Sequence, residues 1–294
     1  MSEIIMKTPD NLEALIECLR NADENTGLIS GGTDFVIQLK QKKIYSGTII
    51  DLSRIDGLKY IKEDENVIRI GAGTTLTEVS GNKLINKYLP ALSEAAGQVG
   101  STQIRNRGTI AGNIGNSSPC ADTVPPLMAA HATLKIINGE GKIYEKTIDD
   151  AVFGSGRSNL KLDEAIIEIA FPKLSSDYVS AFAKLGTRTT VTISKINAAV
   201  VLRYNGDENL VSEARVFLGA LGPKAFRSKI AEEVLINRNP SHELFKAFSE
   251  ALTKQVDASI AGRSSQAYKR EAIKGIAHDI FYKLFGNVVP GGDR

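Results

Sequence analysis

The chain has 294 residues, of which 42% are hydrophobic, which is enough for two domains of ordinary size with well-formed cores. Its formal net charge is only +2, with 24% charged residues, and this balance argues against a nucleic-acid binder with a concentrated basic face. Lys40, Lys42 and Lys43 are accordingly interpreted as a solvated surface. The two cysteines, Cys18 and Cys120, are too few to ligate an iron–sulfur cluster or a structural zinc ion, so no metal site is expected.

The N-terminal sequence MSEIIMKTPDN has neither the apolar core nor the cleavage signature of a signal peptide. No stretch of the chain approaches the roughly 20 apolar residues of a transmembrane helix. These features predict a cytoplasmic protein that does not associate with a membrane.

The predicted elements of the N-terminal half begin with a helix, for which Thr8 is the candidate N-cap and Pro9 the first helical residue. Apolar residues follow the helical period from residue 12 to residue 19 and mark its buried face. Strands are predicted at residues 28–30, 48–52 and 67–70. A capping box from Thr75 to Glu78 predicts a further helix, as does the sequence of residues 91–98. Residues 100–122, rich in Gly, Asn, Ser and Thr, are predicted to form a long functional loop.

The second half continues with a predicted helix at residues 127–132, paired strands at 133–137 and 143–147, and an apolar strand at 165–171. The polar residues 173–177 are the candidate domain boundary, which divides the chain into residues 1–175 and 176–288. Beyond this boundary we predict strands at 179–184, 196–204 and 214–221, and helices at 224–236, 242–256 and 264–285. Strands followed by helices indicate an α+β domain.

A first chemical signal coincides with the predicted strand at residues 28–30 and continues beyond it. It consists of Leu28, Ile29, Ser30, Gly31, Gly32, Thr33 and Asp34, here called the first motif. Two consecutive glycines permit close backbone approach, and consecutive N–H groups in such a turn form a concavity that binds anions such as a diphosphate. An ordinary turn capped by Thr33 or Asp34 is the alternative. The motif has neither the G-x-G-x-x-G spacing of a Rossmann fold nor the G-K-[ST] of a Walker A loop.

A second signal lies within the predicted loop at residues 100–122. Its residues are Thr109, Ile110, Ala111, Gly112 and Asn113, here called the second motif. Backbone donors and small side chains again suit a phosphate group, and Asp122 could accept a hydrogen bond from a ribose hydroxyl. Arg105 and Arg107 are candidates for balancing phosphate charge, with ordinary surface arginines as the alternative. Two such motifs from distant parts of the chain could enclose one diphosphate from two sides.

At these positions the chain resembles the FAD-binding subunits of molybdenum hydroxylases, the family of xanthine, carbon monoxide and nicotinate dehydrogenases. The matching motifs occur in the family's order and spacing, at residues 30–34, 71–73, 103–106, 109–113, 118–122, 163–164, 171–172, 181–184, 188 and 263–265. Ala111 departs from the glycine that the family usually has. Gln98 and Val99 stand where eukaryotic members place an aromatic residue on the flavin, so no stacking residue is assigned.

The resemblance implies an α+β fold, with an FAD-binding domain of vanillyl-alcohol-oxidase (PCMH) type made of two α+β subdomains. A smaller C-terminal α+β domain would follow, with a three-stranded antiparallel sheet and a helical bundle. The resemblance also implies that both motifs wrap the FAD diphosphate and that Asp122 lies near the ribityl or ribose hydroxyls. Ile166 would pack on the flavin or adenine side, and Lys184 would lie near the isoalloxazine ring. No residue is expected to act as a nucleophile or general base.

The activity that the resemblance implies is electron transfer. Electrons from a molybdopterin-binding large subunit would pass through the [2Fe–2S] clusters of an iron–sulfur subunit to FAD on this chain, and then to NAD. Lys184 would favour the anionic reduced flavin electrostatically. Three alternatives stay open: a stand-alone FAD-dependent reductase of the same fold, a subunit that uses ferredoxin or quinone as acceptor, and a scaffold that has kept the fold without the cofactor.

Overall fold

The computed structural model describes residues 4–41, 46–205 and 210–286. Lys42 and Lys43, two of the three lysines interpreted as a solvated surface, lie outside the described residues, whereas Lys40 is exposed.

The chain begins with a three-stranded parallel sheet in the order β1-β3-β2. Its elements are β1 (Ile4–Lys7), α1 (Leu12–Arg20), β2 (Thr26–Ile29), α2 (Phe35–Gln41) and β3 (Gly47–Asp51). The predicted start of α1 at Thr8 and Pro9 is wrong. Asn11 is the N-cap, and its side chain accepts a hydrogen bond from the backbone N–H of Ala14 at 2.8 Å. Because residues 4–7 pair with β3, the next few residues are needed to turn the chain before the helix begins.

The second subdomain is built on an antiparallel sheet in the order β4-β5-β10-β6-β7. Two 3₁₀ turns, Leu52–Arg54 and Asp56–Leu58, lead into it. Its elements are β4 (Ile61–Glu63), β5 (Val67–Gly71), α3 (Leu76–Gly81), α4 (Lys83–Tyr88), α5 (Pro90–Gly97), α6 (Thr102–Arg105), α7 (Ile110–Gly115), α8 (Val124–Ala129), β6 (Thr133–Asn138), β7 (Ile143–Thr147), α9 (Ile148–Ala151), β8 (Val152–Gly154), β9 (Arg157–Ser158) and β10 (Glu164–Pro172).

The central strand β10 is covered on both faces. Ile166 and Ile169 belong to the core formed with the helices, whereas Ala165 and Ile167 pack against Leu15 of α1 and its neighbours. Burial on both faces explains why this strand is almost continuously apolar instead of alternating. The predicted strand at residues 165–171 is confirmed, as is the capping box of Thr75 and Glu78.

The long loop predicted at residues 100–122 contains two short helices, α6 and α7. Each begins at a hydroxyl side chain that accepts a hydrogen bond from a backbone N–H of the first turn, from Ile104 to Ser101 at 3.3 Å and from Gly112 to Thr109 at 3.1 Å. Helices of four to six residues are too short to show a helical period, so composition alone misled the prediction.

The C-terminal domain is an antiparallel sheet in the order β11-β12-β13-β14, covered by helices. Its elements are β11 (Tyr178–Leu185), β12 (Ile196–Asn205), β13 (Leu210–Gly219), β14 (Phe226–Arg227), α10 (Lys229–Glu233), α11 (His242–Ser259) and α12 (Gln266–Phe285). The three predicted strands are present, and the two residues of β14 add a fourth. Because β14 pairs with β13, the helix predicted at residues 224–236 is shortened to α10. Among the described residues, no helix is long and apolar enough to cross a bilayer.

The two domains share packing contacts. Val201 and Phe217 of the C-terminal sheet belong to the same core cluster as Ile166. Arg215 donates to the carbonyl oxygen of Ala129 at 3.0 Å. The connection between β10 and β11, residues 173–177, is where the sequence places the domain boundary.

Candidate cofactor-binding site

The first motif leaves the parallel sheet at the end of β2 and turns into α2. Gly31 lies against the chain that precedes the second motif, so closely that a Cβ atom at this position would be 2.0 Å from the carbonyl oxygen of Arg107. Gly32 has a φ of +74°, a left-handed conformation that glycine adopts without strain. Both glycines are therefore required by the backbone path.

The second motif is the first turn of α7, with Thr109 as its N-cap. Thr109 also forms an isolated antiparallel bridge with Thr75, and the Leu76 N–H donates to the Gly108 carbonyl oxygen at 2.9 Å. Gly108 lies next to the first motif, since a Cβ atom there would be 3.6 Å from Thr33 Oγ1. The fold thus brings together two motifs that are far apart in the sequence.

A cavity of about 390 Å³ opens between the two motifs, within the size range of pockets that hold organic ligands. Of the predicted site residues, twelve line it: Leu28, Ile29, Ser30, Gly31, Gly32, Thr33, Asp34, Thr109, Ala111, Gly112, Asn113 and Ile166. Ile110 does not line the cavity, because its side chain is fully buried in the core of the second subdomain.

The cavity wall offers backbone donors. Within the described residues, the N–H groups of Gly31, Gly32, Thr33 and Asp34 donate to no protein backbone acceptor, and neither does that of Ala111. Ala111 lies in the first turn of α7, where N–H groups have no partner inside the helix. Such a row of unpaired donors is the arrangement that binds an anion through the backbone.

The two arginines near the second motif do not contribute to the main cavity. Arg105 Nη1 donates to the carbonyl oxygens of Val99 and Gly100, each at 3.2 Å, so its guanidinium holds the turn that leads into α6. Arg107 lines a smaller recess of about 150 Å³ beside the main cavity, together with Lys59. Neither arginine lines the main cavity.

Asp122 and Lys184 form a buried ion pair between the two domains, with Lys184 Nζ 2.7 Å from Asp122 Oδ2. Their side chains are 5% and 7% exposed. Asp122 Oδ1 accepts further hydrogen bonds from Ser194 Oγ at 2.5 Å and from Asn197 Nδ2 at 2.8 Å. Lys184 also donates to the carbonyl oxygen of Gln98 at 2.8 Å. Neither Asp122 nor Lys184 lines the cavity, but Lys184 fixes the backbone next to Val99, which does.

Sequence reasoning missed several residues of the cavity wall. Phe35 is the only aromatic residue in this lining as the structure describes it, and its ring packs where Gly27 leaves room. Leu160 and Leu162, from the segment between β9 and β10, form another wall together with Glu164, the first residue of β10. Phe35 could have been suggested by its place directly after the first motif. In the segment before β10, the only sequence signal is the family motif at residues 163–164, which does not point to Leu160 or Leu162.

The lining of the cavity combines residues that have unpaired backbone N–H groups with apolar side chains that include Leu28, Leu160 and Ile166. A dinucleotide cofactor has the same division, since a diphosphate joins two ring systems. The absence of a cationic side chain in the described lining, Lys161 excepted, is compatible with a diphosphate because backbone dipoles can neutralise it. The residues present therefore fit FAD.

Comparison with known proteins identifies both halves of the chain. Residues 2–174 match the family model described as the FAD binding domain in molybdopterin dehydrogenase. Residues 180–284 match the model of the CO dehydrogenase flavoprotein C-terminal domain.

Individual relatives align over most of their length. The nicotinate dehydrogenase FAD-subunit of Eubacterium barkeri is 32% identical over 270 residues, which cover 91% of this chain and 89% of the relative. The xanthine dehydrogenase FAD-binding subunit of Escherichia coli O157:H7 is 30% identical over 249 residues, with 84% of each chain covered.

Among solved structures, a chain of a carbon monoxide dehydrogenase from Hydrogenophaga pseudoflava that lacks the Mo-pyranopterin moiety superimposes with a TM-score of 0.86. The two chains are 24% identical, and 96% of each is covered, so this likeness supports the fold. The matched models and relatives show that this chain belongs to the family of FAD-binding subunits of molybdopterin dehydrogenases, which are oxidoreductases, and that its cofactor is FAD.

Proposed function

We propose that the chain carries FAD in the main cavity and transfers electrons from the [2Fe–2S] clusters of an iron–sulfur subunit to NAD. The holoenzyme would also contain a molybdopterin-binding large subunit, which oxidises the substrate. The observation that carries this proposal is the meeting of the two motifs at one cavity with unpaired N–H groups. Its support beyond this chain is that the relatives are themselves described as FAD subunits of dehydrogenases.

The first and second motifs would hold the diphosphate from two sides, and Ile166 would pack on one ring system. Ile110 would act indirectly, because its buried side chain anchors the first turn of α7 to the core.

The domains would divide at residues 175 and 176, with the second extending to residue 288. In this division the cavity belongs to the first domain, and the second domain contributes through Lys184.

Asp122 and Lys184 would position the cofactor's surroundings. Lys184 Nζ is hydrogen-bonded to the Gln98 carbonyl oxygen and ion-paired with Asp122, so it holds the turn that carries Val99 to the cavity. A cation at this place would also favour negative charge on a nearby flavin ring. Asp122 would keep that cation in place, either beside the isoalloxazine ring or near the ribityl chain.

FAD, when bound, can accept electrons singly and release them as a pair, so it connects one-electron clusters with a two-electron acceptor. The chain's own residues would hold the diphosphate, exclude water with Leu160 and Phe35, and fix the cation at Lys184. No nucleophile or general base is needed for that task.

The acceptor can be tested on the full chain loaded with FAD. The cofactor would be reduced chemically under anaerobic conditions and then mixed with NAD⁺, a quinone or oxidised ferredoxin. We expect rapid recovery of the visible absorbance of oxidised flavin with NAD⁺ and slow recovery with the others. Fast reoxidation by ferredoxin or quinone alone would instead favour a subunit with that acceptor.

The assembly can be tested by purifying the tagged chain from its own host under native conditions. We expect molybdenum, iron and two further polypeptides to accompany it in constant ratio. A chain that purifies alone, with FAD and full turnover of a soluble substrate, would favour the stand-alone reductase. A chain that purifies without FAD and cannot be loaded would favour the scaffold.

A further inference from the structure

Glu164 is a buried carboxylate at the start of β10, with 1% of its side chain exposed. Its Oε2 atom accepts hydrogen bonds from Lys146 Nζ at 2.8 Å and from the backbone N–H of Lys161 at 3.1 Å. The backbone N–H of Glu164 in turn donates to the Lys161 carbonyl oxygen at 3.1 Å. Glu164 and Lys161 therefore close the turn that precedes β10 in both directions.

This turn belongs to the cavity. Ser158, Leu160, Lys161, the half-exposed Leu162 and Glu164 all line it. The earlier part of the segment is anchored by its own contacts, since the Asn159 N–H donates to the Ala151 carbonyl oxygen at 2.8 Å and the Leu160 N–H to Ser158 Oγ at 3.0 Å. The later part depends on the carboxylate of Glu164, through the N–H of Lys161.

The same strand contains a second buried carboxylate that provides a comparison. Glu168 is 7% exposed in its side chain and is bound by Arg69 Nη1 at 2.7 Å and Lys135 Nζ at 2.8 Å. The Tyr60 hydroxyl donates to it at 2.6 Å. Glu168 does not line the cavity. Arg69 and Lys135 lie on the neighbouring strands β5 and β6, and Tyr60 directly precedes β4, so Glu168 stabilises the sheet without touching the cavity wall.

Both carboxylates are ionised at neutral pH. Burial raises the pKa of Glu164, but the hydrogen bonds from Lys146, Tyr144 and the Lys161 backbone outweigh this effect and leave the pKa below its usual value. Burial likewise raises the pKa of Glu168, and its bonds from Lys135, Tyr60 and Arg69 lower the pKa further than burial raises it. The two glutamates thus match in strand, burial and charge, and they differ in whether a cavity wall depends on them.

We propose that Glu164 is a positioning residue for the cofactor: its carboxylate fixes the turn at residues 160–163, and the fixed turn places Leu160 and Leu162 against bound FAD. The inference rests on the proposal that this cavity holds FAD. Glu164 acts on affinity through the wall and takes no part in electron transfer.

The test compares Glu164→Ala with Glu168→Ala in the full chain. The measurements are the FAD dissociation constant from quenching of flavin fluorescence, the melting temperature without FAD, and amide hydrogen exchange of a peptide covering residues 158–163. For E164A we expect the dissociation constant to rise about tenfold, as for loss of one charge-assisted hydrogen bond, and exchange at residues 160–162 to accelerate. E168A should lower the melting temperature at least as much, because Arg69 and Lys135 each lose a salt bridge, yet leave the other two readouts near wild type.

The inference is overturned if both variants weaken FAD binding in proportion to their loss of melting temperature, since the role of Glu164 would then be general stability. If E164A does not fold, E164Q replaces it. The amide oxygen of E164Q can still accept the hydrogen bond from the Lys161 N–H, so FAD affinity should stay within about threefold of wild type. The melting temperature should fall, because the ion pair with Lys146 is lost. If FAD affinity in E164Q falls as much as tenfold, Glu164 does not act by fixing the turn.

Failure of the underlying site proposal gives a different result. In that case FAD would bind to the wild-type chain without slowing amide exchange at the first motif, the second motif or residues 158–163. Protection of the two motifs in the wild type, combined with unchanged affinity in E164A, would contradict the role of Glu164 alone.

Discussion

At the residue scale, Gly31 is where the first motif contacts Arg107 and Gly108, directly before the second motif. A Cβ atom there would lie 2.0 Å from the Arg107 carbonyl oxygen, so Gly31→Ala must push the motifs apart. We expect a loss of about 1–3 kcal/mol in the free energy of unfolding and a marked loss of FAD affinity. Gly275→Ala in α12 is the control, because nothing lies within 4 Å of its Cβ position; it should gain up to about 1 kcal/mol and bind FAD normally. Equal FAD affinity in both variants would refute contact between the motifs as a requirement.

The ion pair of Asp122 and Lys184 is the second feature at this scale. Lys184→Met leaves a buried carboxylate without its cation, which costs about 3 kcal/mol of unfolding free energy, measured by urea denaturation of the FAD-free chain. The double variant D122N/K184M should recover part of that loss. Lys283→Met is the matched control, because its pair with Glu94 is about one-third exposed (35% and 33%) and should cost at most about 1 kcal/mol. A K184M effect no larger than that of K283M would show that the buried pair adds nothing.

These residue-scale contacts were the hardest to predict from the sequence. Asp122 was selected from the loop that contains the second motif and Lys184 through the family resemblance, but nothing in the sequence pairs two residues 62 positions apart. Glu164 belongs to one of the matching family motifs, but it was assigned no role, because its partner Lys146 meets it only after β7 and β10 take their places in the sheet. The glycines were predictable, since close backbone approach leaves a mark in composition.

At the element scale, α7 presents the second motif and depends on its cap. Thr109 Oγ1 accepts the Gly112 N–H at 3.1 Å. Thr109→Ala should therefore cost about 1 kcal/mol of unfolding free energy and weaken FAD binding by misplacing the Ala111 N–H. Thr109→Ser keeps the hydroxyl oxygen, so it should retain most of the stability and most of the FAD affinity. Denaturation measures the first and fluorescence titration the second. Serine and alanine variants with the same affinity would argue against the cap.

The elements that the sequence predicts well are long or repetitive. Strands β10, β12 and β13 and helices α11 and α12 have enough residues to show their period or their apolar run. The short helices α6, α7 and α10 and the two-residue strand β14 do not, because tertiary contacts and single caps decide them. Much of the cavity wall is made of such short elements. The two motifs could therefore be predicted from the sequence, whereas the rest of the wall could not.

At the scale of the whole molecule, acid stability depends on the buried carboxylates of the central sheet. The folded-state pKa of Glu168 lies below the ordinary value of 4.5, so its contribution to stability is present above that pH and is lost as the pH falls through the lower folded pKa. The free energy of unfolding of the FAD-free chain, measured by urea denaturation, should therefore decrease as the pH is lowered below 4.5. In Glu168→Gln the drop should be shallower by at most about 1.4 kcal/mol per pH unit. If the unfolding free energy of that variant depends on pH as in wild type, groups other than Glu168 cause the loss of stability in acid.

The central claim is that one cavity, built by the first and second motifs together, holds the diphosphate of FAD through backbone N–H groups. A crystal structure of the full chain loaded with FAD tests it most directly. The account predicts diphosphate oxygens within about 3 Å of backbone nitrogens from both residues 30–34 and residues 109–113, with no arginine side chain in contact. A diphosphate held by only one motif, or by Arg105 or Arg107, would contradict it.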